Sequence, residues 1–258
     1  MLKKEFFTRL EHSVLIADGG MGTMIQNSIS SPIQCVESLN LSDPDLIRDI
    51  HTQFVQAGAE LIETNTFGAN RLMLRKYGLE QKVKEINAEG VRCARDAVRV
   101  GCYIAGSIGP FISPTEEITE DLVEEYKTIM VEQARVLVDE GVDLLICETY
   151  ANTNHLCFVL DIVRELTDIP VITSITIGPS FVTYDSLDVL SAVQKIISRG
   201  SDCIGINCGH GIKIIETALE IIGPVDLPVA VMPNAGLPER VGARIMYGIS
   251  EEYFAEKA

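Results

Sequence analysis

The first residues able to do chemistry are Asp18-Gly19-Gly20-Met21-Gly22-Thr23, a carboxylate beside backbone that can approach a ligand closely and offer N–H groups. Such N–H groups suit a ligand carboxylate, and Asp18 suits an ammonium; the same residues also suit a tight turn capped by Asp18. Glu148 follows four apolar residues and is either a carboxylate at a binding mouth or a surface glutamate. Together Asp18, Glu148 and the Gly19 to Gly22 backbone could hold an amino acid by both of its charged ends. Cys208, in Asn207-Cys208-Gly209-His210-Gly211, is a structural thiol or a reactive one, and His210 is a metal ligand or simply exposed. Alone these residues are not a zinc motif, because spaced partner cysteines are missing.

Each of these clusters ends a short apolar run. The runs are Val14–Ala17, Leu61-Ile62, Tyr103–Ala105, Leu144–Ile146, Val171–Thr176, Ile204–Ile206 and Val229–Val231. Continuous apolar runs are what strands covered on both faces look like. Between them lie helical patterns: Asp43 to a stop at Gly58, Glu80 to Val100, Thr119 to Gly141, Asn154 to Leu166, Ser186 to Ser198 and Ile212 to Ile222. A further helix starts at Ser250. Strict βα alternation implies a parallel sheet with right-handed crossovers. An open doubly wound sheet is the rival, but no strand carries G-x-G-x-x-G, and polar groups spread over many strand ends, as in a barrel. The expected fold is therefore α/β, a (β/α)8 TIM barrel truncated before its eighth βα unit. It is one domain over 1–258 with its C-terminal end missing; a complete but unusual barrel is the alternative.

Bulk properties exclude other classes. The 37 acidic and 21 basic residues leave a formal charge of −16, which repels nucleic-acid backbones and anionic lipid surfaces. No apolar stretch approaches the ~20 residues that a bilayer span requires. Seven cysteines without a C-x-x-C pair do not resemble a disulfide framework, and a reducing cytoplasm is expected. Cys93, Cys102, Cys157 and Cys203 sit in apolar surroundings, as inert core thiols do. No strand-end lysine is present for Schiff-base chemistry of the aldolase kind.

Asp18-Gly19-Gly20-Met21-Gly22-Thr23, Cys35-Val36-Glu37-Ser38-Leu39-Asn40, Glu63-Thr64-Asn65-Thr66-Phe67-Gly68-Ala69-Asn70 and Gly205-Ile206-Asn207-Cys208 resemble the homocysteine S-methyltransferase family. Pro233-Asn234-Ala235-Gly236-Leu237-Pro238 fits the same family, and the matches keep the family's order from about Val14 to Ala258. The resemblance implies a (β/α)8 barrel that binds Zn²⁺ through three cysteines. Cys208 matches the first; the other two belong to a Gly-Gly-Cys-Cys-Gly motif that these residues do not contain. It also implies that Asn234 completes the metal shell without substrate, and that Asp18, Gly19 and Glu148 contact homocysteine. In that chemistry a zinc-bound homocysteine thiolate attacks an activated methyl group to give methionine. The donor is left open among a methylcorrinoid such as methylcobalamin, a methylfolate-derived group, S-methylmethionine and betaine. The rival reading is a metal-deficient amino-acid-binding pseudoenzyme, or an inactive fragment of a larger methyltransferase.

Overall fold

The computed structural model describes residues 2–29, 33–236, 238–241 and 244–257. In chain order its helices and strands are α1 (Lys3–His12), α2 (Met21–Ser28), α3 (Leu39–Ser42), α4 (Pro44–Ala57), β1 (Leu61–Glu63), α5 (Arg71–Arg75) and α6 (Val83–Ala97). There follow β2 (Tyr103–Ile108), α7 (Val123–Asp139), β3 (Leu144–Tyr150), α8 (Thr153–Leu166), β4 (Val171–Ile175), α9 (Val189–Ser198), β5 (Cys203–Cys208) and α10 (Ile212–Ile222). The chain goes on through β6 (Val229–Pro233), β7 (Pro238–Val241), β8 (Arg244–Tyr247) and α11 (Glu251–Lys257).

Strands β1 to β6 form one parallel sheet in sequential order. The Val14–Ala17 run adds a parallel bridge, Ala17 to Leu61, with Asp18 N–H donating to Leu61 O at 2.9 Å and Leu61 N–H to Ile16 O at 3.1 Å. A full strand was expected there; the chain turns away at Asp18-Gly19-Gly20 to enter α2 before a ladder develops. β7 and β8, where no element was expected, pair antiparallel, Pro238 with Tyr247 and Val241 with Arg244.

Helix boundaries follow local chemistry. Asp43 accepts from Leu46 N–H at 3.3 Å with Pro44 in the first turn, and Gly58 ends α4 at φ +111°, where a side chain would be strained. Asn152 caps α8 through the N–H groups of Asn154 and His155. The helices expected from Glu80, Thr119 and Ser186 begin later, at Val83, Val123 and Val189. For α9 the cause is visible: Ser186 has φ +65°, outside any right-handed helix, and Asp188 supplies the cap by accepting from Ser191 N–H.

Two apolar layers result. The outward faces of the strands pack on the helices in the main core, which includes Ile62, Ile104, Leu145, Val171 and Ile204. The inward faces make a second cluster of Leu61, Ala105, Leu144, Ile146, Ile172 and Cys203 around Phe6 of α1. Leu15 and Ala17 from one end of the sheet and Ala230 and Met232 from the other join that same cluster, so the sheet curls around it. Helix α1 lies across the N-terminal ends of the strands: Lys3 pairs with Asp202 before β5 at 3.1 Å, and Arg9 with Glu60 before β1 at 2.8 Å. That leaves the C-terminal ends as the accessible mouth. Among the described residues no helix is long and apolar enough to cross a membrane.

Candidate functional site at the carboxyl ends of the strands

Side chains alternate along a strand, so the inward set is every second residue. Toward the N-terminal ends that set is apolar: Leu61, Ala105, Leu144 and Ile146, Ile172, Cys203. One or two steps further along the same faces it becomes Glu63, Ser107, Glu148, Ser174 and Asn207. The inner face thus changes from apolar floor to polar mouth within a few residues of each strand.

Three carboxylates meet in that mouth. Asp18 Oδ2 accepts from Glu63 N–H at 3.0 Å. Glu148 Oε1 accepts from Ser107 Oγ at 2.6 Å, and its Oε2 from Asn207 Nδ2 at 3.2 Å. Asp18 Oδ1 and Glu63 Oε1 are shut off from solvent without a hydrogen-bond partner, although each residue keeps some surface toward the mouth. Burial pushes the pKa values of Asp18 and Glu63 well above the carboxylate range, and the charge of Glu148 adds to both. Glu148 is also raised by burial, while bonds from Ser107, Glu63 and Thr149 favour its charged form. The charge of Glu148 thus works against ionisation of Glu63, whose burial already favours its neutral form. Among the described residues no Lys or Arg pairs with these three carboxylates, and a ligand ammonium would supply the counter-ion.

Cys208 reaches the same mouth against the parity of its strand. It follows the inward Asn207, so regular alternation would aim it at the helices. Its φ of +58° breaks the alternation, as does +62° at Thr149, where the β3–β4 register slips between Cys147 and Tyr150. The sulfur lies 3.8 Å from Thr149 Oγ1 and 3.5 Å from Asn207 Nδ2. Burial, followed by the Glu148 charge, raises the Cys208 pKa, against the lowering bonds from Thr149 and Asn207.

The other expected positions are nearby or apart. Gly19 and Gly20 are exposed on the segment that enters α2, where Gly20 is the N-cap. The first N–H groups of a helix have no acceptor inside it. Asn234 donates through Nδ2 to Gly209 O at 3.1 Å, directly after Cys208, which leaves its oxygen as the end suited to a cation. His210 is exposed with its ring beside Gly178. Among the described residues no three His, Cys, Asp or Glu side chains are grouped to hold a metal ion. Sequence reasoning singled out Asp18, Glu148 and Cys208 but not Glu63, Ser107, Thr149 or Asn207. Period-two counting from the apolar floor would have found Glu63, Ser107 and Asn207.

A curled parallel sheet with strand-end carboxylates and a thiol at one mouth defines an α/β domain of the barrel type. The family model for homocysteine S-methyltransferase matches residues 15–258, and the chain belongs to that family. It is 31% identical over 269 residues to a methionine synthase of Mycobacterium leprae, covering 96% of this chain and 22% of that protein. A methionine synthase of Mycobacterium tuberculosis is 32% identical over 248 residues, with 89% and 21% covered. The chain therefore spans about a fifth of the length of these relatives. Among solved structures it superposes on the metallated form of the homocysteine methyltransferase MmuM from Escherichia coli with a TM-score of 0.79 at 23% identity. That match covers 89% of this chain and 86% of the other, and it shows a shared fold.

Proposed function

We propose that this chain is a homocysteine-binding methyltransferase domain, a single unit over 1–258 built as a (β/α) barrel without its eighth βα unit. The observation that carries the reading is the mouth itself: three carboxylates, two with buried unpartnered oxygens, beside the Cys208 sulfur. Asp18 and Glu148, joined by Glu63, hold the ammonium of the amino acid. The N–H groups of Gly19 and its neighbours at the start of α2 receive the carboxylate. The substrate side chain is then directed across the mouth toward Cys208 and Asn234. Its thiol becomes methylated by an activated donor, methylcobalamin or a methylfolate-derived group, presented from outside the strand ends by a second domain or a free molecule. The seven cysteines, all unpaired, suit a reducing cytoplasmic setting.

The resemblance implies zinc, whose part would be to hold the substrate sulfur as a thiolate. The described residues offer it one thiol, Cys208, and one amide oxygen, on Asn234. That donor set is short of the three protein ligands of catalytic zinc sites, so these residues alone do not fit the metal. The expected outcome of a competition titration with a chromophoric chelator is zinc binding by this chain far weaker than the ~10–16 kcal/mol of structural zinc-finger sites. Cys208→Ser should abolish what binding there is; tight stoichiometric zinc would call for ligands this reading lacks.

The function itself is tested by calorimetry with L-homocysteine and L-methionine. Asp18→Asn and Glu148→Gln should each weaken binding by about tenfold, roughly 1.4 kcal/mol. Unchanged affinity in both would remove the amine clamp and with it the reading. Binding without methyl transfer by a longer, metal-loaded form would favour the pseudoenzyme.

A further inference from the structure

We propose that Asn207 is a positioning residue that couples the amine-binding carboxylate Glu148 to Cys208, so that occupation of the amino-acid clamp is felt at the sulfur. This rests on the clamp proposed above and assigns a role to a residue outside it.

Asn207 is 1% exposed, and its amide meets both ends of the site. Nδ2 faces Thr149 Oγ1 at 2.7 Å, Glu148 Oε2 at 3.2 Å and Cys208 Sγ at 3.5 Å. Oδ1 accepts from Thr149 N–H at 3.0 Å and Ser174 Oγ at 2.9 Å. The backbone N–H of Thr149 can only donate, which fixes which end of the amide is oxygen. All three groups on the nitrogen side are therefore served by two N–H hydrogens. When Glu148 turns toward a ligand ammonium, its claim on Nδ2 weakens and more of the donor is released to Cys208. When the clamp is empty, Glu148 competes for it.

Two further features show that the amide is held for this geometry. Thr149 and Cys208 both have φ near +60°, a conformation rare for a β-branched residue, and Asn207 bonds both the N–H and the hydroxyl of Thr149. Ser174 reaches Oδ1 across Gly205, where an added Cβ would lie 2.7 Å from Ser174 Oγ. No other common side chain reproduces the arrangement. Asp at 207 presents an acceptor to Glu148 and to the sulfur, and Ala presents nothing.

The experiment measures how fast iodoacetamide alkylates Cys208, followed by peptide mass spectrometry, with and without saturating L-methionine as a thiol-free occupant of the clamp. In the parent chain methionine should change that rate at least threefold. In Asn207→Asp, at methionine concentrations that saturate the variant by calorimetry, the ratio should differ from the parent's by at least twofold, because shielding of Cys208 by the methionine side chain is common to both. A residue with only a structural role would shift the absolute rate or the unfolding midpoint and leave the ratio intact. Thr149→Val, which removes one acceptor of Nδ2 and a donor to Glu148, provides the same readout should Asn207→Asp not fold; measured at methionine concentrations that saturate it, this variant should also alter the ratio. A ratio equal to the parent's in whichever of these variants folds overturns the proposal. If Asp18→Asn and Glu148→Gln bind methionine as well as the parent, it is the clamp reading that fails instead.

Discussion

Glu63 shows how a single side chain sets both affinity and stability. An acid whose folded pKa is raised holds its proton longer when folded than when unfolded. Its favourable contribution is therefore present at low pH and is lost as pH rises through the folded value. Burial and the neighbouring charges of Glu148 and Asp18 place Glu63 in that class. Glu63→Gln should raise the unfolding midpoint at pH 8 more than at pH 5, while weakening L-methionine binding by about tenfold. Thermal melts at the two pH values, with calorimetry beside them, check this; a variant destabilised at pH 8 would mean the carboxylate is paired in a way the cluster does not show. His51 behaves oppositely. It is fully buried on α4 with neither ring nitrogen bonded, and burial pushes its pKa down to about 4. Unfolded, it titrates near ~6.5. Its neutral form thus contributes fully above that pH, and the contribution falls away down to about 4, a change of about 3 kcal/mol. His51→Leu should flatten the stability profile between those limits, as read from urea midpoints at closely spaced pH. A profile as steep as the parent's would show that His51 takes up its proton without unfolding.

At the scale of elements, α4, α6 to α11 and β1 to β6 are legible from apolar runs and punctuation, since Asp43-Pro44 and Gly58 at the ends of α4 act locally. Less visible were features that depend on partners distant in sequence. Val14–Ala17 has strand composition but finds a neighbour only at Leu61, so it makes a bridge and not a ladder. Cys208 ends an apolar run, yet strand parity alone would aim it among the helices, and the positive φ is what turns its sulfur toward Thr149 and Asn207. Glu63 was read within a motif and not as a site residue, because nothing local shows that its oxygen ends up buried beside Glu148. Helix α1 was missed entirely: its Lys3, Lys4, Glu5 and Arg9 hide the fact that Phe6 is 1% exposed. Phe6 fills the inner cluster from below, a place no periodicity marks. Phe6→Ala should cost about 3–5 kcal/mol and lower the melting temperature by roughly 10 °C, leaving amino-acid affinity unchanged at low temperature. Loss of binding in the folded variant would show that α1 shapes the mouth as well as the floor.

For the whole molecule, the arrangement of edges decides how it behaves among copies of itself. Ladder pairing among the described residues runs from Ala17 through β1 to β6 and does not return from β6 to the Val14–Ala17 segment. Apolar side chains remain exposed at both ends of the sheet, Val14 at 82% and Ile16 at 58% on one side, Val229 at 45% and Val231 at 43% on the other. An uncovered apolar edge is a template for pairing with another chain, and like charge is the force that opposes it. The net charge of −16 supplies repulsion over only ~10 Å at 0.1 M salt. Self-association should therefore increase with salt, contrary to what an assembly held by ion pairs would do. Sedimentation velocity at 0.02 M and 0.5 M salt reads this directly, with larger species expected at the higher salt. Val231→Lys, which puts a charge at the β6 edge, should suppress those species while leaving L-methionine affinity unchanged, since Val231 faces away from the inward set that carries the carboxylates. A chain that stays monomeric at high salt and high concentration would mean that the two edges are covered within the molecule itself.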